Sequence, residues 1–244
     1  AVMAAAVTAL LADGVVYFDI IGTQPKNYEM ILELDFDNEK DILWVLGQEE
    51  PDERVFIRDG QLHLMRGGCN IDYNPSPGMI VHYRASMPQY GALGMSYYRV
   101  NANITFECVY CYNHNQPCDS SQNITFDGLT FQNAGQLVDV VFYVAPDESV
   151  VYVIAADEET GRICYTAQQI PDKLKNNTMY IGIDHFDDKG SVIVESFYVA
   201  EGSLQAYLSD HLKSYKQHQK RVDALLEQDV ADLPMITFRP MNES

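Results

Sequence analysis

Carboxylates recur at every second position in Glu33-Leu-Asp35-Phe-Asp37-Asn-Glu39. Residues at i and i+2 share one face of a strand, so Glu33, Asp35 and Glu39 align if a strand runs through them. Two carboxylates about 5 Å apart, one a nucleophile and one an acid, are what retaining glycoside hydrolysis requires. The same run alternates oxygen donors in the manner of a calcium loop. Lys40, however, stands where that loop needs glycine, and no acid closes it. Asp184, Asp187 and Asp188 form a second acidic loop and a second Ca²⁺ alternative. A solvated turn is the simpler account of both runs, so the reading assigns no metal or other cofactor.

The five cysteines are Cys69, Cys108, Cys111, Cys118 and Cys164. Cys108-Val-Tyr-Cys111 has redox or zinc spacing, but no second pair of Cys or His follows it. Disulfides are the favoured reading: Cys108 or Cys111 with Cys118 across a short loop, and Cys69 with Cys164 across two distant strands. One thiol is left over. Four N-x-[ST] sequons, at Asn103, Asn123, Asn176 and Asn242, point to a glycosylated, secreted chain. The apolar, small-residue run within residues 1–14 is too short to span a bilayer and has the character of a signal-peptide remnant, with an N-terminal helix as the alternative.

A net charge of −19 at pH 7 argues against nucleic acid and against an anionic membrane surface. No G-x-S-x-G or glycine-rich phosphate loop is present, and none of the six histidines falls in a nucleophile motif. Tyrosines crowd between residues 83 and 112. Tyr83, Arg84, Tyr97, Tyr98 and Arg99 form the candidate ligand-binding set, because rings with polar tips beside arginine suit sugar stacking or a protein interface. Ordinary sheet packing is the competing account.

Strands must carry these residues. Short β-branched and aromatic runs punctuated by Gly, Pro and Asp span about 15–200, which predicts an all-β, two-sheet antiparallel sandwich. The predicted strands include Tyr28–Phe36, Ile42–Leu46, Arg54–Arg58, Gln61–Met65, Ile80–Arg84, Gln136–Val144, Val150–Ile154, Met179–Ile183 and Ser191–Val199. Asp59-Gly60 predicts a type I′ hairpin turn. Residues 201–244 hold a helix over 203–229, capped by Ser203, and an extended tail. Leu208, Leu212, Tyr215, Val222 and Leu226 form its apolar stripe, either packed on the domain or seaming a short coiled-coil oligomer.

The order of three passages resembles the concanavalin A-like jelly-roll superfamily, which includes laminin-G-type modules, legume lectins and family-16 glycoside hydrolases. They are Leu34-Asp-Phe36 with Trp44, the hairpin from Phe56 to Leu64, and Tyr180-Ile-Gly-Ile183 through Ile193–Val199. The resemblance implies a jelly-roll sandwich. The acidic run does not match the family-16 signature in spacing, and it lies before the hairpin rather than after it. The equivalent region, Met95 to Cys111, offers only Glu107. The expectation is therefore a secreted, glycosylated, non-catalytic recognition domain that binds carbohydrate or another extracellular protein. The alternatives are a family-16-like hydrolase acting on β-glucans and a structural subunit of an extracellular assembly.

Overall fold

The computed structural model describes residues 7–12, 15–20, 27–46, 53–87, 91–97, 102–107, 123–125, 135–185 and 190–236. Strands dominate. β1 (Val7–Ala12) and β2 (Val15–Ile20) form an antiparallel hairpin. The helix considered for the N-terminus does not form over Val7–Ala12, whose backbone pairs with the β-branched run that follows.

The larger sheet has eight strands. β13 (Arg162–Gln169), β12 (Val150–Asp157), β11 (Leu137–Val144), β7 (Met79–Ser86), β15 (Val192–Gly202), β5 (Gln61–Leu64) and β4 (Val55–Arg58) follow one another, and β3 (Tyr28–Leu34) also pairs with β15. The smaller sheet runs β10 (Asn123–Thr125), β9 (Ala102–Glu107), β8 (Gly91–Tyr97), β14 (Met179–His185), β6 (Gly67–Ile71). Among the described pairs only β9 and β10 are parallel, bringing Asn103-Ile-Thr alongside Asn123-Ile-Thr.

The two sheets face each other across one core. Alternation sends Val81, Tyr83 and Ala85 from β7, Val140 and Phe142 from β11, and Phe197 and Val199 from β15 against Leu93, Met95, Ile181 and Ile183 of the smaller sheet. A second core lies on the outer side of the larger sheet. There α2 (Leu204–His211) and α3 (Lys213–Leu226) cover Ile80, Val141, Ile154 and Ala200. Ser203 accepts a hydrogen bond from the Ala206 amide and starts α2, as its cap chemistry predicts.

Three expectations need correction. The helix predicted over 203–229 is two helices, broken where Leu212 takes extended dihedrals (φ −114°, ψ 109°) and Glu158 caps the amides of Lys213 and Ser214. Leu208, Leu212, Tyr215 and Val222 are buried in the second core, so that face is covered within the chain. Ile42–Leu46 is a 3-10 turn running into the short α1 (Leu43–Leu46), because Asn38 caps the turn with its side chain on the Lys40 amide.

No disulfide joins Cys69 to Cys164. Cys69 lies on β6, which packs beside β5, whereas Cys164 lies on β13, five strand steps from β5 in the sheet order. At about 4.8 Å per step that separation is roughly 24 Å, far beyond disulfide reach. Cys108, Cys111 and Cys118 lie outside the described residues.

Candidate functional site

The structure does not gather the tyrosine–arginine set. Tyr83 is wholly buried between the sheets, and its hydroxyl donates a shared hydrogen bond to the carbonyls of Gly94 (2.9 Å) and Gly182 (3.1 Å). Adjacent strand residues point to opposite faces, so Arg84 emerges on the far side of the larger sheet. There Arg84 donates to Asp139 at 2.7 Å and to Glu195 at 3.2 Å. Tyr97 stands opposite Met179 in the register of β8 and β14, and Tyr98 and Arg99 lie outside the described residues.

Nor do the acidic residues of the first loop align. β3 ends at Leu34, and Phe36 turns the chain with a left-handed φ of 57°. Asp35 accepts from the Asp37 amide, and Glu39 enters the 3-10 turn. Glu33, Asp35 and Glu39 are exposed and share no strand face, so the two-carboxylate geometry is absent from them. Burial, aided by the charges of Asp35 and Asp37, raises the Asp41 carboxyl above the usual range. Among the described residues no three acidic, His or Cys side chains converge as a metal site. Asp187 and Asp188 lie outside them. Of the sequons, Asn176 sits exposed in a turn with a left-handed φ of 59°, and Asn103 and Asn123 lie on paired strands. Asn242 lies outside the described residues.

Two polar constellations emerge that the sequence reading did not assemble. The first lies beneath α2, on the larger sheet. His82 and Asp139 are almost fully buried. His82 Nε2 meets Asp139 at 2.9 Å, and His82 Nδ1 meets the Tyr207 hydroxyl at 2.8 Å. Arg84 completes the carboxylate's second oxygen, and a bulge at Glu195 turns that residue toward Arg84 and Gln61. Tyr28, bonded to Asp210 and His211, closes the cluster at the helix end. Every polar tip has a partner, and the cluster pins α2 to the sheet.

The second constellation occupies the outer face of the smaller sheet. In β14, Met179, Ile181 and Ile183 enter the core, which leaves Tyr180, Gly182 and Asp184 on the opposite face. Gly182 is flanked in register by Gly94 on β8 and Asn70 on β6, and Asp184 by Ala92 and Gly68. The adjacent glycines leave the floor without side chains, and Tyr83 ties their two carbonyls from below. A Cβ at Gly68 would collide with Asp184 Oδ1, so glycine there is what lets the carboxylate lie across β6. Burial pushes the Asp184 carboxyl up to about 6. Cys69, on the core side of β6, is pushed up to about 12 by burial and by the nearby Asp184 charge. Trp44, the chain's single tryptophan, is 39% exposed on α1, which packs against β6. The signal for this face was the small and polar alternation Tyr180, Gly182, Asp184.

No family model matches the sequence, and no curated protein matches it. Solved structures do. The winged bean acidic lectin in complex with methyl-α-D-galactose aligns with a TM-score of 0.50 at 10% identity, over 72% of this chain and 98% of the lectin. The basic winged bean lectin with Tn-antigen gives 0.49 at 8% identity, over 71% and 98%. A glycoside hydrolase family protein from Mycobacterium thermorestibile gives 0.41 at 13% identity, over 72% and 93%. At such identities the likeness concerns the fold, and it agrees with the sheet order and strand alternation described above: the chain has the concanavalin A-like jelly-roll fold.

Proposed function

We propose that this chain is a non-catalytic carbohydrate-recognition domain whose ligand lies on the outer face of the five-stranded sheet. The observation that carries the reading is the strip around Gly182 on the outer face, where exposed Gly68 and Asn70 lie beside half-buried Tyr180 and Asp184 and Gly94 is buried next to it. A sugar ring needs a flat apolar contact and a few fixed polar groups around it, and this face combines the two. The winged bean acidic lectin among the fold neighbours supports a sugar as the ligand class. The sequons support an extracellular setting.

Trp44 supplies the test, since it is the only tryptophan and its helix packs against the edge strand of this sheet. Glycan-array hits are to be titrated by Trp44 emission, first with the unaltered protein and then with Asn70→Ala and Gly182→Val. Saturable emission changes that both substitutions abolish support the reading. An array without hits, or hits indifferent to both substitutions, refutes it.

A second reading rests on Asp184 alone. A carboxyl that keeps its proton to about 6 is in the state a general acid requires. By register, Glu107 occupies the same cross-strand row, two strands away beyond Ala92. Release of reducing ends from β-glucans, lost on Asp184→Asn, would favour hydrolysis over recognition.

A further inference from the structure

The charges of α3 run against the stability of the helix. Acids in the first turn and bases in the last stabilise a helix, and α3 has neither. Lys213 and Lys216 stand in its first turn instead, at the positive end of the helix dipole. Lys220 follows Lys216 by four positions, so like charges repel along one face. Between Asp210 and Asp223 the chain has no acidic residue to offset them. Two carboxylates that border the helix are already engaged. Glu158 accepts from the amides of Lys213 and Ser214, and Asp223 accepts from the Tyr215 hydroxyl at 2.6 Å.

Tyr215 and Val222 bury the opposite face of α3 in the second core. Helical periodicity therefore turns Lys213, Gln217 and Lys220 outward, with Lys216 and Arg221 on either side, and all five are exposed. Among the described residues none of the four cations forms an ion pair, although Arg84 and Lys175 do. In a chain of net charge −19, this stripe is a local reversal of sign. It weakens the helix that carries it, and an anionic partner is what relieves the repulsion.

We propose that the solvent face of α3 binds an anionic polysaccharide, one bearing sulfate or carboxylate groups. The site lies over β12 and β13, on the opposite side of the sandwich from the outer face of the smaller sheet, and it does not rest on the reading of that face. The shape of the charge selects the partner. At physiological salt a charge is felt over about 8 Å, so a ligand no wider than a sugar ring can follow the stripe and stay clear of the acidic remainder. The stripe from Lys213 to Arg221 rises about 12 Å along the helix axis, enough for a short run of charged rings. A flat anionic membrane or a nucleic-acid duplex would also press on exposed Glu159 and Glu227 near its ends. A single nucleic-acid strand needs aromatic rings to stack on, and a docked peptide needs apolar anchor points. Between the cations the stripe presents Gln217, whose amide suits ring hydroxyls, and no exposed aromatic or large apolar side chain.

The experiment uses the whole chain with a heparin-derived octasaccharide as the sulfated probe, tetragalacturonate as the carboxylated probe and cellotetraose as the neutral control. Binding is read by calorimetry at several salt concentrations. An acidic probe should bind, and counter-ion release by four cations should weaken it about tenfold to fiftyfold between about 50 and 200 mM salt. The acidic probe that binds more tightly identifies the charged group. Replacing Lys213, Lys216, Lys220 and Arg221 together by Gln should abolish this binding. The same change removes repulsion, so the midpoint of urea unfolding should stay level or rise. Gly182→Val, on the smaller sheet, should leave the acidic probe bound.

Failure of both acidic probes to bind at about 50 mM salt overturns the inference. So does binding that survives the fourfold substitution, or binding lost in Gly182→Val alone, which would move the acidic ligand to the smaller sheet. Tighter binding of a thymidine oligonucleotide, or of phosphatidylserine vesicles, than of either acidic saccharide overturns the choice of partner. A fourfold variant less stable than the unaltered protein overturns the argument from helix repulsion.

Discussion

Asp184→Asn is expected to stabilise the fold at neutral pH. In the folded chain Asp184 holds its proton until about 6, against an ordinary value of 3.8. The fold therefore binds this proton more tightly than the unfolded chain does. The stability tied to it is fully present below about pH 3.8 and is lost as pH rises through about 6. At about 1.4 kcal/mol per tenfold difference in acidity, the full loss is roughly 3 kcal/mol, and partial exposure lowers it to about 2 kcal/mol. Asparagine has the same shape and no charge to desolvate. The difference in unfolding free energy between Asp184→Asn and the unaltered protein should then be near zero at about pH 4 and climb to about 2 kcal/mol in favour of the variant by about pH 7. Other carboxylates titrate in this range, including Asp147, which hydrogen bonds from Ser149 hold below the usual range. Both proteins share them, so they cancel in the difference. Urea unfolding followed by circular dichroism at half-unit pH steps measures it. A difference that does not vary with pH, or a variant less stable than the parent at neutral pH, refutes the burial argument for Asp184.

Tyr83→Phe should destabilise the chain by about 1 kcal/mol, because it removes the hydroxyl shared by the Gly94 and Gly182 carbonyls; hydrogen exchange of β8 and β14 amides should quicken with it. Asp139→Ala strips His82 and Arg84 of their common buried partner and should cost about 3 kcal/mol in a urea titration, with Asp139→Asn costing less. Gly60→Ala should cost about 1 kcal/mol or more, since Gly60 sits at φ +71° and its new Cβ would stand 2.8 Å from Asp37 Oδ1; thermal denaturation reads this directly. Expression through a eukaryotic secretory route should yield a protein whose mass falls on treatment with an N-glycosidase, and Asn176→Gln should remove one step of that fall.

Local chemistry was legible from the residues alone. Asp59-Gly60 predicted a type I′ turn, and both residues adopt the positive φ angles it requires, 53° and 71°. Ser203 predicted a helix start, and β-branched runs predicted β11, β12, β14 and β15 within a few residues of their ends. What failed to read was parity and partnership. Tyr83 and Arg84 looked like neighbours on one binding surface, yet alternation sends one into the core and the other through the far face. Two register shifts in β15, at Val194/Ser196 and Val199/Ala200, re-aim Glu195 and bring Met30 and Leu32 into different cores; nothing local announces an extra residue in a strand. Ile42–Leu46 was ambiguous as a short apolar run, and only the Asn38 cap decided it. The glycine pair itself needs Gly94 and Gly182 side by side, a juxtaposition set by pairing residues 88 positions apart in the chain. Asp184 was noticed for its neighbours in sequence, Asp187 and Asp188, whereas its significance lies with Gly68 across the strand.

The position of β15 governs when the protein can come into being. It pairs with β7 on one side and with both β3 and β5 on the other, and β4 joins the larger sheet only through β5. The hairpin of β4 and β5, translated early, therefore has no place to dock until the chain has been synthesised past Val192. Closure of so long a loop before its contacts repay the entropy makes for slow folding, in which the early strands spend the interval with open edges and bare apolar faces. A ribosome that stops short of β15 would release a chain unable to complete its larger sheet, and this protein is expected to depend on chaperones that hold β-rich nascent segments apart until the last strand arrives.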